Sequence, residues 1–312
     1  MADVSIIMAV YNGEKYIGEQ IESILASHYD NFKLYIYDDR SNDGTKEIIS
    51  KYINEYPDKI KYSINRHNMG SAANFMNGLI KTAAKEESTP YYMFCDQDDV
   101  WFPDKIGRMV RRMKRMEKAY GDKIPLMAFS DAIIVDEHLN VKNISFHASQ
   151  KLNVKKRDFS SMLIENKCSG CMMIFNRALA KMVKSCPENI RYHDWWIALI
   201  ATAFGYTSYI NAPAILYRQH GSNVVGSVDF ISDCINKFLN PKKQREAVSM
   251  CTKQAEAFAH DYYNELSKEQ REIINAFIML PYNSFYRKRK DILKYRFFKS
   301  TFVKDAGIMI NI

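Results

Sequence analysis

Short apolar runs and amphipathic segments alternate along roughly the first 130 residues of the chain. "VSIIMAV" (4–10) is apolar at almost every position, which predicts a strand buried on both faces. In "GEKYIGEQIESILAS", just after it, Ile17, Ile21, Ile24 and Leu25 recur at helical spacing and predict one inward face. "KLYIY" (33–37) predicts a second strand, and "DGTKEIISKYINEY" a second helix with Ile48, Ile49, Tyr52 and Ile53 inward. "IKYSI" (60–64), a helix in "SAANFMNGLIKTAAK", and "YYMFC" (91–95) continue the series. Repeated strand and helix units of this kind predict an α/β fold, with a mainly parallel, Rossmann-like sheet flanked by helices on both faces.

In "DKIGRMVRRMKRMEKA" (104–119), Ile106, Met109, Val110, Met113 and Met116 make one apolar stripe, and the basic residues opposite read as a solvated face. The order then becomes mixed. "LMAFS", "AIIVD" and "CSGCMMIF" (168–175) predict strands around a polar, loop-like stretch at 137–160. A helix from Asp194 to Phe204 and strands "YTSYI" and "AILYR" close a first domain, expected over residues 1–226. Residues 227–312 have helical periodicity and few strand signals, so they are expected to form a helical, basic C-terminal region. Within it, Arg287 to Lys304 carries eight basic residues and one acid, interleaved with Tyr295, Phe297, Phe298 and Phe302.

A chain of 312 residues that is 47% hydrophobic can build a large core, which excludes disorder as a whole. The net charge of +8 favours anionic partners: nucleic acid, nucleotide phosphates or an anionic membrane face. Six cysteines (Cys95, Cys168, Cys171, Cys186, Cys234, Cys251) show no regular framework and read as reduced thiols of a cytosolic protein. "CSGC" has the spacing of a redox or zinc pair, but no second pair stands at zinc-finger distance. The N-terminus lacks the basic region of a signal peptide, and no apolar run approaches the roughly 18 to 20 residues a membrane span needs.

Candidate chemistry falls at the predicted strand ends, where open α/β sheets bind ligands. "YNG" (11–13), "DDRSNDGT" (38–45), "RHNMGSAANF" (66–75) and "DQDD" (96–99) follow the first four strands in turn. Taken singly, each also fits a turn or a helix cap. The crowding of Asp96, Asp98 and Asp99 is harder to dismiss, because like charges so close repel unless donors or a cation compensate. Carboxylates completed by phosphate and water are how magnesium and manganese are usually held. No GxGxxG and no P-loop accompany them. Later, "YHDWWIALIATAFG" places Asp194 at a helix start, where a cap followed by an inward tryptophan pair is the simpler reading, and "YRQHGSNVVG" puts His220 and Asn223 in a loop.

In order, "SIIMAVYNG", "YDDRSNDGT", "NMGSAANF", "DQDDVWFPDKI", "HDWW" and "YRQHGSNVVG" resemble the family 2 glycosyltransferases, nucleotide-sugar transferases of the GT-A fold, over roughly residues 3–226. The resemblance implies a nucleotide-sugar site made by Ala9, Val10, Tyr11, Asn12, Asp39, Asn68, Gly70, Asn74, Asp96 and Gln97. It implies a divalent metal, Mg2+ or Mn2+, near Asp98, Asp99 and His220, and leaves open whether Asp98 shares it with Asp96 or with Asp99. Asp194 corresponds to the general base of an inverting transfer, and Trp101, Trp195, Trp196 and Arg218 to donor or acceptor contacts, with core packing the alternative for the tryptophan pair. Arg40 and Asn42 depart from the commoner "DDGSTDGT".

"CDQDDVW", "HDWW" and "YRQHGSNVVG" look most like bacterial polysaccharide rhamnosyltransferases. That implies dTDP-L-rhamnose as donor, with UDP-hexoses as the alternative, and a saccharide or lipid-linked acceptor of cell-wall, capsule or exopolysaccharide synthesis. Two other classes compete. A sugar nucleotidyltransferase would want a Gly-rich, basic loop where "YNGEKY" stands, and a nucleic-acid-binding protein would not crowd carboxylates at strand ends. For the basic segment 287–304, contact with the inner face of the plasma membrane and packing on the catalytic domain or on a second copy in a homodimer stay open.

Overall fold

The structure, a computed structural model, describes residues 2–188, 190–221 and 240–311. The chain divides into two compact units: Met1–Phe146, Cys168–Cys186 and Gly205–Gly221 form one, and His147–Lys167, Pro187–Phe204 and Ser222–Ile312 the other.

The first unit is built on a sheet of nine strands: β1 (Val4–Val10), β2 (Phe32–Asp38), β3 (Ile60–Ile64), β4 (Tyr91–Cys95), β5 (Val100–Trp101), β6 (Leu126–Val135), β7 (Val141–Asn143), β8 (Met173–Asn176) and β9 (Tyr206–Arg218). Their order is β3-β2-β1-β4-β8-β6-β9-β5, with β7 beside β6. The helices α1 (Ile17–Leu25), α2 (Thr45–Glu55) and α3 (Ser71–Lys85) separate the first four strands in sequence, and α4 (Lys105–Tyr120) follows β5. β1 runs parallel to β2 and β4, and β2 to β3, as the alternation predicts.

Beyond β4 the sheet is mixed, not parallel. β8 enters antiparallel to both β4 and β6, reached through a 3-10 turn at Gly170–Met172, so the strand expected over 168–175 begins only at Met173. "LMAFS" and "AIIVD" are one strand, and so are "YTSYI" and "AILYR". The apolar pattern breaks at Asp131 and Pro213 because these residues face each other where the register of β6 and β9 shifts. An irregularity of that kind leaves residues out of the ladder, and there a proline costs no hydrogen bond.

The core follows the predicted faces. Ile17, Ile21 and Ile24 of α1 are fully buried with Met109 and Met113 of α4 in one apolar cluster, while Leu25, Ile48, Tyr52 and Ile53 are only half-buried against it.

The second unit is helical: Phe159–Ile164, His193–Phe204, Pro241–Tyr262, Lys268–Ile278, Phe285–Tyr295 and Phe302–Asn311. Trp196 sits at its centre, with ring centroids 5.4 Å from Phe258 and 6.1 Å from Tyr262. Those contacts tie His193–Phe204 to the C-terminal helices, so the compact units interleave along the chain where a single cut at 226 was expected. Residue 226 itself, like Asn223 and Cys234, lies outside the described residues.

Candidate active site

Because β1, β2 and β4 are parallel and in register, with Val10 beside Asp38 and Met8 beside Cys95, the loops that follow them emerge at one edge of the sheet. Those loops are sewn together by amides. Tyr11 N donates to Gln97 Oε1 at 2.9 Å, and Gln97 Nε2 returns a bond to Tyr11 O at 3.1 Å. Asn12 N donates to Ser41 Oγ, and Asn42 N to Asn12 Oδ1, both at 2.9 Å. A Cβ on Gly13 would stand 2.7 Å from Gln97 Oε1, so a glycine is what lets the β1 loop approach the acidic loop.

The paired aspartates at the end of β2 are both 2% exposed and have different partners. Asp38 accepts from Ser41 N, Ser41 Oγ and Tyr62 Oη, which closes the turn. Asp39 accepts from Asn65 Nδ2 at 2.9 Å and from the successive amides of Met69 and Gly70 at 3.0 and 2.8 Å. Gly70, at φ 82°, adopts the left-handed region that allows this close turn ahead of α3. Asn74 completes the arrangement: its Oδ1 takes a second bond from Asn65 Nδ2, and its Nδ2 donates to Tyr37 O. This carboxylate, expected in the nucleotide-sugar site, is thus fixed by the loop that carries Asn68, whose Oδ1 accepts from Gly70 N.

The acidic loop sorts its three carboxylates. Asp98 Oδ2 meets His220 Nε2 at 2.8 Å. Asp96, Asp99 and Cys171 bring one ligand atom each to within 4.8 Å of one another. Asp99 is 1% exposed; its Oδ1 accepts from Arg218 N at 3.1 Å, and its Oδ2 has no hydrogen-bond partner among the described residues. Burial, with Asp98 and Asp96 adding repulsion, pushes the Asp99 carboxyl well above the usual range.

Beneath the loop, the Lys105 ammonium is fully buried, 3.4 Å from the Trp101 ring centroid, and donates to Cys171 O at 2.5 Å. Burial lowers it to about 8 against the opposing pull of Cys171, Cys95, Asp99 and Asp96. Arg218, 2% exposed, clasps the loop from above. Its Nε donates to Asp98 O at 2.8 Å, Nη1 to Glu137 O at 2.7 Å and Nη2 to Glu19, while its guanidinium lies 4.6 Å from the Tyr16 ring. Arg218 therefore positions the acidic loop.

In the second unit Asp194 stands in the first turn of His193–Phe204, where the helix dipole favours a carboxylate. Its Oδ1 accepts from Asn166 Nδ2 at 3.0 Å and from Trp195 N at 2.6 Å. Trp195 donates its indole N–H to Met162 O, and Trp196 has no exposed surface. The tryptophan pair is core, so the sugar contact expected of Trp195 and Trp196 has no face to rest on; Trp101, 3% exposed over Lys105, is buried likewise.

A model of the family described as "Glycosyl transferase family 2" matches residues 5–183, more than half of the chain. The chain belongs to that family. The glycosyltransferase is 28% identical over 299 residues to dTDP-rhamnosyl transferase RfbG of Shigella flexneri, spanning 91% of this chain and 96% of that one. It is 30% identical over 171 residues to UDP-Glc:alpha-D-GlcNAc-diphosphoundecaprenol beta-1,3-glucosyltransferase WfgD of Escherichia coli, covering 55% and 58% of the two chains. Among solved structures, S. aureus TarS 1-349 in complex with UDP-GlcNAc superposes with a TM-score of 0.54 at 16% identity, over 98% of this chain and 91% of that one, which is a likeness of fold.

In the first unit of the glycosyltransferase the structure therefore brings together Tyr11, Asn12, Gln97, Asp98, His220 and Arg218, and separately Asp39, Asn65, Gly70 and Asn74. Sequence pattern alone does not single out Ser41, Asn65, Lys105 and Glu19, although "DDRS" and "WFPDK" contain two of them.

His193, beside Asp194, is buried, and burial pushes its ring down to about 3, so the folded enzyme holds it neutral. The unfolded chain takes up that proton from about pH 6.5 downward. More protons on the unfolded state mean that stability falls as pH drops from about 6.5 toward about 3. Replacing His193 with Leu is expected to remove about 1.4 kcal/mol of the stability difference between about pH 7.5 and 5.5. Urea unfolding of both proteins at the two pH values measures it; an unchanged difference would put the titrating group elsewhere.

Proposed function

We propose that the enzyme transfers L-rhamnose from dTDP-L-rhamnose, with inversion, to a hydroxyl of a saccharide or lipid-linked saccharide acceptor in bacterial surface-polysaccharide synthesis, with Mg2+ or Mn2+ as cofactor. The observation that carries the site is the buried Asp99 oxygen without a hydrogen-bond partner among the described residues, set near Asp96 and Asp98 where parallel strands end. A carboxylate left in that condition is costly, and a hard divalent cation relieves it. The oxygens of Asp96 and Asp99, with Asp98 and its His220 partner, are the groups that would hold it. When bound, the ion neutralises charge that develops on the departing nucleoside diphosphate.

The chain's own residues take the remaining work. Tyr11 at 48% exposure, Asn12 and the backbone around Gln97 offer a ring face and polar groups to the nucleoside. Asp194 is assigned the acceptor proton: its carboxylate, oriented by Asn166 and the Trp195 amide, takes it as the acceptor oxygen attacks the anomeric carbon. Nearly full-length similarity to a dTDP-rhamnosyl transferase supports the donor. A UDP-hexose is the second reading, favoured by the similarity to a UDP-Glc-dependent enzyme.

Thermal unfolding with dTDP-rhamnose, UDP-glucose and UDP-GlcNAc, each with Mn2+ or with EDTA, tests the donor and the metal together. Saturation at about 100 Kd stabilises by about 2.7 kcal/mol, a rise of several degrees. Only dTDP-rhamnose with Mn2+ is expected to give that rise, and to yield transfer to a saccharide acceptor. A larger shift with a UDP-hexose would replace the donor, and an equal shift in EDTA would remove the metal.

A further inference from the structure

We infer that the outer side of Phe285–Tyr295 and Phe302–Asn311 is a docking surface for an anionic lipid bilayer. This goes beyond the transfer reaction and does not rest on the identity of the donor. The basic stretch 287–304 looks uniform in sequence, but the fold divides it by direction. Lys304 turns inward to Glu165 Oε1 at 2.8 Å, and Arg287 pairs with the buried Asp291 at 3.0 Å. Phe297 is fully buried against Phe277, with ring centroids 4.9 Å apart, so it belongs to the core of its unit.

What faces outward is a different set. Tyr286, at 85% exposure, is followed at helical spacing by Lys290, Leu293 and Lys294, all exposed. On the next helix Phe302, also 85% exposed, shares a side with Ile310 at 60%. The helices are joined at this surface by Arg289, whose guanidinium lies 3.5 Å from the Phe285 ring centroid and whose Nη2 donates to Ile310 O at 3.3 Å.

With Leu293 at 58% and Val303 at 52% exposure, these outward residues are more than the singly scattered apolar side chains of an ordinary soluble surface. The acids of these helices do not join them: Asp291 is buried, and Asp305 is half-buried and accepts from Lys299 N. Glu272 of Lys268–Ile278 is exposed near Lys294, but Lys290, Lys294 and Arg296, all exposed, outnumber it, so the outward charge is net positive. Aromatic and aliphatic side chains framed by lysine and arginine are the composition of an interfacial element, with rings and alkyl groups seated at the headgroup level and ammonium groups on lipid phosphate. A second copy of the chain would bring two basic faces together, and nucleic acid has no use for Leu293, Val303 and Ile310. No helix among the described residues is long and apolar enough to cross a membrane, so the contact is peripheral.

Flotation of the full chain with phosphatidylcholine vesicles, with and without phosphatidylglycerol, reads the contact directly. Binding is expected only where phosphatidylglycerol is present, and it should weaken as salt rises. Lys290→Gln and Lys294→Gln are each expected to lower vesicle affinity about fivefold, and Tyr286→Ser with Phe302→Ser to abolish it. Every position is exposed, so thermal unfolding and nucleotide-sugar binding should match the wild type; that result keeps a failed fold or a failed donor assignment apart from a failed lipid contact. Recovery with vesicles that ignores phosphatidylglycerol overturns the inference. So does a stable dimer, seen by light scattering, that the serine variants dissociate.

Discussion

Asp98→Asn is expected to lower kcat/KM by about 10³-fold while the protein keeps its melting temperature. The substitution keeps the shape of the side chain and an oxygen that can accept from His220 Nε2, which lies 2.8 Å from Asp98 Oδ2. Arg218 holds this residue by its backbone carbonyl and Asp99 by its carboxylate, so neither clasp depends on the Asp98 charge. What disappears is one negative charge at the mouth of the acidic loop. A Lewis-acid metal contributes several kcal/mol to such a transition state, and losing most of that corresponds to about three orders of magnitude. Initial rates against Mn2+ concentration are the measurement, and the variant should need far more Mn2+ and show a raised KM for donor. Wild-type rates at ordinary Mn2+ would mean that Asp98 serves only to hold His220.

Part of that expectation is legible in the amino-acid sequence. Parallel strands bring their carboxyl ends to one edge whatever the loop details, so four polar clusters at predicted strand ends already imply one site. Their sewing is not legible there. Gln97 bridges to Tyr11 across 86 residues, and Arg218 reaches Glu19 across 199, and no local periodicity encodes partners so distant. Lys105 illustrates the same limit. In sequence it is one more basic residue of an amphipathic helix, and only packing shows it wholly buried among two carboxylates and two thiols.

Pattern reading fails where packing overrides local signals. A polar residue and a proline interrupt the apolar runs of β6 and β9, whereas the fold absorbs both at a register shift. "HDWW" offers two tryptophans as sugar platforms, but apolar burial claims them, as it does for most large aromatics. The C-terminal aromatics are sorted the opposite way, because helical phase decides exposure. Phe297 goes into the core, and Tyr286, one residue ahead of the basic stretch, is among the most exposed large apolar side chains of the described residues.

Asp194→Asn separates holding the donor from performing the reaction. The amide side chain can still accept from Asn166 Nδ2 and from the Trp195 amide through its oxygen, so the first turn of His193–Phe204 should persist. It has no basic lone pair to take a proton at neutral pH. General-base catalysis contributes typically 10²–10⁴-fold, and a loss of about that size is expected in kcat, with calorimetric affinity for the nucleotide sugar unchanged. Asp98→Asn should instead weaken donor and metal binding together with the rate. Opposite signatures from two carboxylates of the same charge would assign one to the leaving group and the other to the nucleophile. If Asp194→Asn loses donor affinity in step with kcat, the carboxylate holds substrate, and the proton must go to another group.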